Sequence, residues 1–174
     1  MRAVADAQRI RQFMKALGKQ TRERARVYFT GGATAVLQGW RVTTIDVDIE
    51  IVPDSDAILR ELPALKEELR LNIELASPAH FIPELPGWRE RSTWIADEGT
   101  VSFHHYDFYA QALAKIERGY DRDLADVRQI LTRGLVEPTK VRELFAAIEP
   151  ELFRFPAIDA KALREDVERV LADA

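Results

Sequence analysis

The chain has 174 residues and a mass of 19.9 kDa, which is the size of one ordinary domain. Its residues are 47% hydrophobic and 31% charged, so it can bury a sizeable core, and disordered, collagen-like and low-complexity classes are excluded. It has no cysteine, which excludes disulfides, zinc–thiolate sites and cysteine nucleophiles. Three histidines and many carboxylates favour a hard cation such as magnesium for any catalytic metal.

Residues 1–13 hold four charged side chains and no apolar stretch, so they do not resemble a signal peptide. No window approaches the roughly 18 apolar residues that a membrane span needs. We therefore expect a cytoplasmic protein with no membrane partner.

The net charge is −4, but it is unevenly distributed. Residues 1–45 hold nine Lys/Arg against two Asp/Glu, a local charge of +7. One interpretation is an ordinary solvated helix face. The other is a basic patch that binds RNA or an acidic partner, although the overall negative charge argues weakly against tight non-specific nucleic-acid binding.

The first elements along the chain are a helix, a strand and a second helix. Within residues 5–25, apolar side chains recur at helical spacing, and Gly18 is expected to end or bend the helix; they are Ile10, Phe13, Met14 and Leu17. Residues 27–29 form a β-prone run that stops at the Gly31-Gly32 pair, and residues 33–37 favour a helix. This pattern predicts a strand, a glycine turn and a helix start.

Residues 44–51 alternate between apolar and acidic side chains, which predicts a strand with one buried face. The apolar face would hold Ile45, Val47, Ile49 and Ile51, and the other face Asp46, Asp48 and Glu50. Asp54 or Ser55 can then cap a helix that runs to about Arg70. Pro63 is expected to start a second helical segment within it, because proline is costly inside a helix.

The rest of the chain changes from strands to helices. Residues 71–75 predict a strand, residues 77–92 an ordered proline-rich loop, and residues 93–104 a hairpin. Four helices are predicted after Asp107. The class is therefore α+β, with an α/β core over residues 1–106 and a helical C-terminal region over residues 107–174, together one compact unit.

The pattern that indicates chemistry is Gly31-Gly32 followed, thirteen residues later, by Asp46-Val47-Asp48. Backbone N–H groups at a helix start, with no Cβ in the way, can bind phosphate oxygens. Two carboxylates separated by roughly 6–7 Å along one strand face repel each other unless a cation lies between them. A divalent metal is one neutraliser, and an ordinary solvent-facing strand surface is the alternative.

These segments resemble the DNA polymerase β-like nucleotidyltransferase superfamily. More narrowly, residues 28–35 and 41–48 are similar to the AbiEii-like nucleotidyltransferases of bacterial toxin–antitoxin and abortive-infection systems, with Thr34 shifted by one position. The resemblance implies a short mixed sheet with flanking helices. It also implies that Gly31, Gly32 and Thr34 bind the nucleotide.

The resemblance extends to residues 112–127, which match a Lys…Arg-Asp-x-x-Asp motif. It implies that Lys115 faces the nucleotide phosphates and that Asp123 and Asp126 belong to the nucleotide-binding set. The helical pattern by itself places Lys115 at the border of the buried face, where it could be a solvated lysine. Asp121 could cap the next helix, with Asp123 complementing its positive end.

Superfamily members usually place a third carboxylate on a neighbouring strand, and Glu74 is the candidate. The family more often has aspartate there, and an exposed strand glutamate is the alternative interpretation. Together, the resemblance implies that Asp46, Asp48 and Glu74 bind one or two Mg²⁺ ions and are catalytic together with Lys115.

The implied reaction moves an NMP from an NTP to a hydroxyl on tRNA or on a partner protein, in a toxin–antitoxin or phage-defence system. The alternative is an inactive module of the same fold, an antitoxin or regulator that binds NTP or a cognate toxin or antitoxin. A third possibility is an RNA-binding adaptor that uses the +7 segment. His104 and His105 are adjacent on a strand, so they are expected to point to opposite faces and not to share a metal.

Overall fold

The computed structural model describes residues 3–174, which divide into two compact units. The first unit is the chain up to Ser77 together with Ser92–Tyr106, and the second is Pro78–Arg91 together with Asp107–Ala174. The second unit therefore includes the proline-rich segment 78–91 as well as the residues after 106. No helix of the described residues is long and apolar enough to cross a membrane.

The first unit is built on one five-stranded mixed sheet. Its strands are β1 Ala25–Thr30, β2 Asp46–Val52, β3 Asn72–Leu75, β4 Thr93–Glu98 and β5 Val101–His105. The spatial order is β3-β2-β1-β5-β4. Strand β1 is antiparallel to β2 and parallel to β5, β2 is parallel to β3, and β4 and β5 form the predicted antiparallel hairpin.

Helices alternate with strands along the first part of the chain, and the second unit is almost wholly helical. The helices are α1 Ala7–Gln20, α2 Gly31–Gln38, α3 Asp56–Leu69, α4 Trp88–Arg91, α5 Phe108–Arg118, α6 Asp121–Thr132, α7 Pro138–Ile148 and α8 Ala160–Ala172. Short 3₁₀ segments cover Pro78–His80 and Glu149–Arg154. The α+β class with a helical C-terminal region is confirmed.

One face of the sheet forms the core of the first unit with α1 and α3. All four apolar positions predicted for α1 are buried, and Phe13 meets Phe29 of β1 edge-on at 6.3 Å. Burying each large apolar side chain stabilises the fold by about 1.5–3 kcal/mol. Val47, Ile49 and Ile51 face this core, but the expectation for Ile45 is wrong. Ile45 precedes the start of β2 and is 65% exposed.

Contrary to the sequence prediction, helix α3 does not begin a second segment at Pro63. It is one continuous helix with Pro63 inside it, and its buried residues are Ile58, Leu62 and Leu65. The burial of this face offsets the cost of the interior proline, about 3 kcal/mol. Ser55 is the cap, accepting a hydrogen bond from the Ile58 backbone N–H at 3.2 Å.

Gly18 does not end helix α1. It allows the helix backbone to pack closely against the hairpin turn at Glu98 and Gly99. Helix α1 continues past Gly18 to Gln20. A Cβ on Gly18 would lie 2.6 Å from Cβ of Glu98, and one on Gly99 would lie 2.5 Å from the Gly18 carbonyl oxygen. The α1 backbone therefore packs directly on the turn of the β4–β5 hairpin, which only glycine permits at both positions.

Helix α2 is fixed to the sheet by a buried polar pair. The Thr34 hydroxyl donates to the Phe29 carbonyl at 3.1 Å, and its oxygen lies 3.1 Å from His105 Nδ1. Because the single hydroxyl proton goes to the carbonyl, Nδ1–H of His105 is the donor to Thr34. Burial, followed by the nearby Arg11 charge, lowers the pKa of His105 to about 4, so this histidine is neutral at pH 7.

The contact between Gly18 and the hairpin turn determines whether Gly18→Ala raises or lowers the free energy of unfolding. Glycine to alanine inside a helix normally stabilises by about 1 kcal/mol. We expect Gly18→Ala to destabilise the protein instead, by about 1–3 kcal/mol, because the added methyl meets the hairpin backbone. Urea unfolding of Gly18→Ala measures this, with Gln20→Ala at the exposed end of α1 as the control. A higher urea midpoint in Gly18→Ala would contradict the packing.

Candidate active site

The polar face of the sheet collects the predicted acidic residues beside the glycine turn. Side chains opposite each other on neighbouring strands share a face. Asp48 of β2 is opposite Thr30, the last residue of β1, and on its other side opposite Glu74 of β3. Asp46 is opposite Asn72. The register thus places Asp48 between the end of β1 and the carboxylate on β3.

Gly31 and Asp48 are in close proximity. Gly31 opens α2 with φ +60°, a conformation that side chains disfavour, and a Cβ there would lie 3.1 Å from Asp48 Oδ2. The missing side chain leaves the Asp48 carboxylate against the backbone at the start of α2. The predicted combination of a glycine turn and an acidic strand is therefore present as one local arrangement.

Gly32 has a different reason to be glycine. A Cβ at this position would collide with the Thr44 hydroxyl and would lie 3.4 Å from Nη1 of Arg41. The Thr44 hydroxyl donates to the Asp46 carbonyl at 3.0 Å, and the Thr44 backbone pairs with Ala5. Gly32 therefore allows the segment that leads into β2 to pack on α2, which sets the position of the acidic residues.

Arg41 is a cation near the turn to which the sequence analysis assigned no role. It lies within the segment 41–48 that carries the family resemblance. Its guanidinium lies beside Gly32, on the same unit as the acidic residues. In the sequence, Arg41 could have been identified as the single charged residue in the segment 41–45 that leads into β2.

Asn72 is a second residue that the sequence analysis missed. Its Nδ2 donates to Asp46 Oδ1 and to Glu74 Oε1, the latter at 2.8 Å. An amide nitrogen has two protons, so it can make both bonds and hold two carboxylates near each other. Asn72 is two residues before Glu74 on the same strand, so both side chains lie on one face of the sheet. This spacing could have identified Asn72 as a neighbour of the acidic residues.

The acidic set fits magnesium that arrives with a nucleotide better than a preformed metal cage. Asp46 and Asp48 are half-buried and Glu74 is exposed. Among residues 3–174, no three Asp, Glu or His side chains converge to hold a metal ion. Magnesium is usually bound through one or two carboxylates, substrate phosphates and water, which suits the two aspartates. The role of Glu74 as a third ligand stays a prediction.

Thr34, which the resemblance assigned to the nucleotide, is 1% exposed. Its hydroxyl is engaged by Phe29 and His105 as described above. The Thr34 hydroxyl therefore supports the glycine turn from inside the fold, and its contact with the nucleotide stays a prediction.

The two histidines of β5 point to opposite faces, as predicted. His105 faces α2, whereas His104 Nε2 lies 2.9 Å from the Ser102 hydroxyl and its ring packs on Tyr28 at 5.3 Å. Burial, followed by the charge of Arg26, lowers the pKa of His104. The polar sheet face thus carries the His104 imidazole in addition to the acidic residues.

The second unit contains a buried ion-pair cluster. Lys115 Nζ of α5 lies 2.7 Å from Asp126 Oδ2 and 3.6 Å from Asp123 Oδ1, both on α6. Lys115, Asp126 and Asp123 are 7%, 2% and 5% exposed, so the interpretation of Lys115 as a solvated lysine is wrong. Arg118 Nε lies 3.5 Å from Asp123 Oδ2. Two cations therefore balance two buried carboxylates. Such a balance is needed because an unpaired buried charge strongly destabilises a fold.

Asp121 does not cap α6, contrary to the expectation. The cap is Tyr120, which makes no side-chain capping bond, and Asp121 is the first helical residue. Its negative charge in the first turn, with that of Asp123, still complements the positive end of the helix.

Comparison with known proteins identifies one family. No curated protein matches the chain, and no solved structure matches it. One family model, described as a nucleotidyltransferase of unknown function, matches residues 6–166. This range contains the glycine turn, both aspartates of β2 and the ion-pair cluster of the second unit. The chain therefore belongs to the family of nucleotidyltransferases of unknown function designated DUF6036.

Proposed function

We propose that this protein transfers a nucleoside monophosphate from an NTP to a hydroxyl group and releases pyrophosphate, with Asp46 and Asp48 binding one or two Mg²⁺ ions. Family membership supports nucleotidyl transfer in general. The observation that supports the proposed site is the position of Asp48 Oδ2 against the backbone of Gly31. A metal-binding carboxylate and a phosphate-binding backbone would then lie side by side.

The start of α2 is suited to phosphate oxygens. The first N–H groups of a helix have no intrahelical acceptor, and the helix dipole favours negative charge there. Thr30 is the cap residue and makes no side-chain capping bond, so its side chain does not occupy this position. Glycine at 31 and 32 lets a triphosphate approach the backbone closely.

The chain itself contributes position and charge. Asn72 orients the Asp46 carboxylate, and the Gly31 turn fixes Asp48. Bound magnesium would neutralise charge on the triphosphate and polarise the transferred phosphoryl group. Such chemistry depends mainly on positioning and electrostatics, which two fixed carboxylates and a helix start provide.

The acceptor we propose is a hydroxyl on tRNA or on a partner protein. The similarity of residues 28–35 and 41–48 to AbiEii-like proteins supports this choice and a toxin–antitoxin or phage-defence context. Lys115 is proposed to neutralise charge on the nucleotide phosphates, with Asp126 orienting its ammonium.

A second candidate function is a module that binds NTP without turnover. The observation that favours it is the third acidic position, where an exposed glutamate stands and three acids do not converge. The same binding surface would then serve an antitoxin or a regulator.

The central test is the Asp48→Asn variant. We expect it to lose label transfer from α-labelled NTPs, in the presence of Mg²⁺ and total tRNA, by on the order of 100-fold or more, because a neutral amide cannot replace a metal-binding carboxylate. Glu50→Gln removes a carboxylate from the same face of the same strand and is the matched control, with activity expected near wild type.

Equal transfer by Asp48→Asn and wild-type protein would contradict the proposed site. Mg²⁺-dependent NTP binding by wild-type protein with no transfer to RNA or protein would instead support the binding module.

Lys115 needs a test that separates stability from nucleotide binding. We expect Lys115→Met to lower the free energy of unfolding by about 3–5 kcal/mol, because Asp126 is then buried without its cation. Adding Asp126→Leu removes that charge and should restore much of the stability. If Lys115 contacts phosphate, the double variant remains weak in NTP binding by calorimetry. Wild-type NTP affinity in the refolded double variant would show that Lys115 has only a structural role.

A further inference from the structure

The exposed side of α1 carries a cationic stripe. Gln8, Arg11, Gln12 and Lys15 line a shallow, open groove of about 480 Å³. Their spacing by three and four residues places them on one face of the helix, and Lys19 continues that face. We refer to Gln8, Arg11, Gln12, Lys15 and Lys19 as the α1 stripe.

The charge of the α1 stripe is uncompensated. Helix α1 contains no acidic residue. Arg11, Lys15 and Lys19 are exposed, and none of them forms an ion pair with any residue in the described range 3–174. Arg9 differs, because its guanidinium donates to the Leu69 carbonyl. The three free cations are four residues apart, about 6 Å along the helix axis.

We infer that the α1 stripe binds the phosphate backbone of a polynucleotide acceptor. The inference rests on the proposed function, since it names the class of molecule that supplies the hydroxyl. Arginine, lysine and glutamine side chains are the groups that contact nucleic-acid phosphates without reading sequence. The α1 stripe consists of these three residue types alone.

The same surface does not suit a protein partner or a membrane. Protein interfaces depend on buried aromatic or aliphatic anchors, and interfacial membrane helices insert an apolar face. The large apolar side chains of α1 are all buried in the core: Ile10, Phe13, Met14 and Leu17. The stripe therefore offers charge and hydrogen-bond donors but no apolar contact.

The α1 stripe begins at the end of the sheet that carries the glycine turn. Arg11 is close enough to His105 to affect its titration, and His105 is opposite Phe29, two residues before Gly31. At the N-terminal side of α1, Ala5 pairs with Thr44, which packs on Gly32. A strand bound along α1 would thus lead toward the end of the sheet where Asp48 lies.

The test measures RNA binding without NTP or Mg²⁺, so that its outcome is independent of the proposed metal site. The probe is a fluorescein-labelled, single-stranded RNA of mixed sequence, followed by anisotropy at several salt concentrations. For Arg11→Gln/Lys15→Gln/Lys19→Gln we expect at least about tenfold weaker binding at low salt and a salt dependence of log affinity that is shallower by about two.

The matched control is Arg122→Gln/Arg128→Gln/Lys161→Gln, which removes the same charge from exposed positions of the helical unit. We expect it to bind RNA as wild type does. In transfer assays the α1 variant should have a raised KM for RNA with an unchanged affinity for NTP.

Three results would overturn the inference. They are wild-type RNA affinity in the α1 variant, an equal loss in the control variant, and displacement of the RNA by poly-L-glutamate as effectively as by unlabelled RNA. If Asp48→Asn binds RNA normally, the inference about the α1 stripe stands whatever happens to transfer. If the α1 variant binds RNA as wild type does while Asp48→Asn loses transfer, the inference fails and the proposed function stands.

Discussion

The close approach of the Asp48 carboxylate to a residue without a side chain organises the site. Gly31 can adopt its positive φ and can leave room for Asp48 Oδ2 at once, because it has no Cβ. The antiparallel register of β1 and β2 then holds this contact in place by pairing Thr30 with Asp48. The parallel pairing of β3 with β2 then places Asn72 opposite Asp46 and Glu74 opposite Asp48.

Much of the fold could be predicted because its determinants are local. The periodicity of α1, the alternation in β2 and the glycine turn are each properties of a few neighbouring residues, and all three are found in the structure. Errors arose where distant segments meet. The local sequence predicts that Gly18 ends or bends the helix, because the hairpin turn that packs against it lies 80 residues away in sequence. The local sequence predicts that Pro63 starts a second helical segment, because the burial that offsets the cost of this proline is tertiary.

The candidate site shows the same division. Gly31 and Asp48 could be predicted because Gly31 directly follows a β-prone run and Asp48 lies within an alternating strand. Asn72 could not, since its function depends on a register between β2 and β3 that spacing alone does not define. Lys115 was placed at a helix border, yet carboxylates on the next helix bury it. The helical periodicity of apolar residues cannot reveal a buried ion pair, because it assigns every charged residue to the solvent-exposed face.

The most direct measurement of the central claim is paramagnetic broadening by Mn²⁺ in nuclear magnetic resonance spectra of the full chain. The protein would be saturated with a non-hydrolysable NTP analogue, and Mn²⁺ would replace Mg²⁺. We expect the backbone amides of Gly31 and Gly32 and the side-chain amide of Asn72 to broaden first, because these groups lie beside Asp48 and Asp46. Broadening confined to other acidic surfaces, with these amides unchanged, would contradict it.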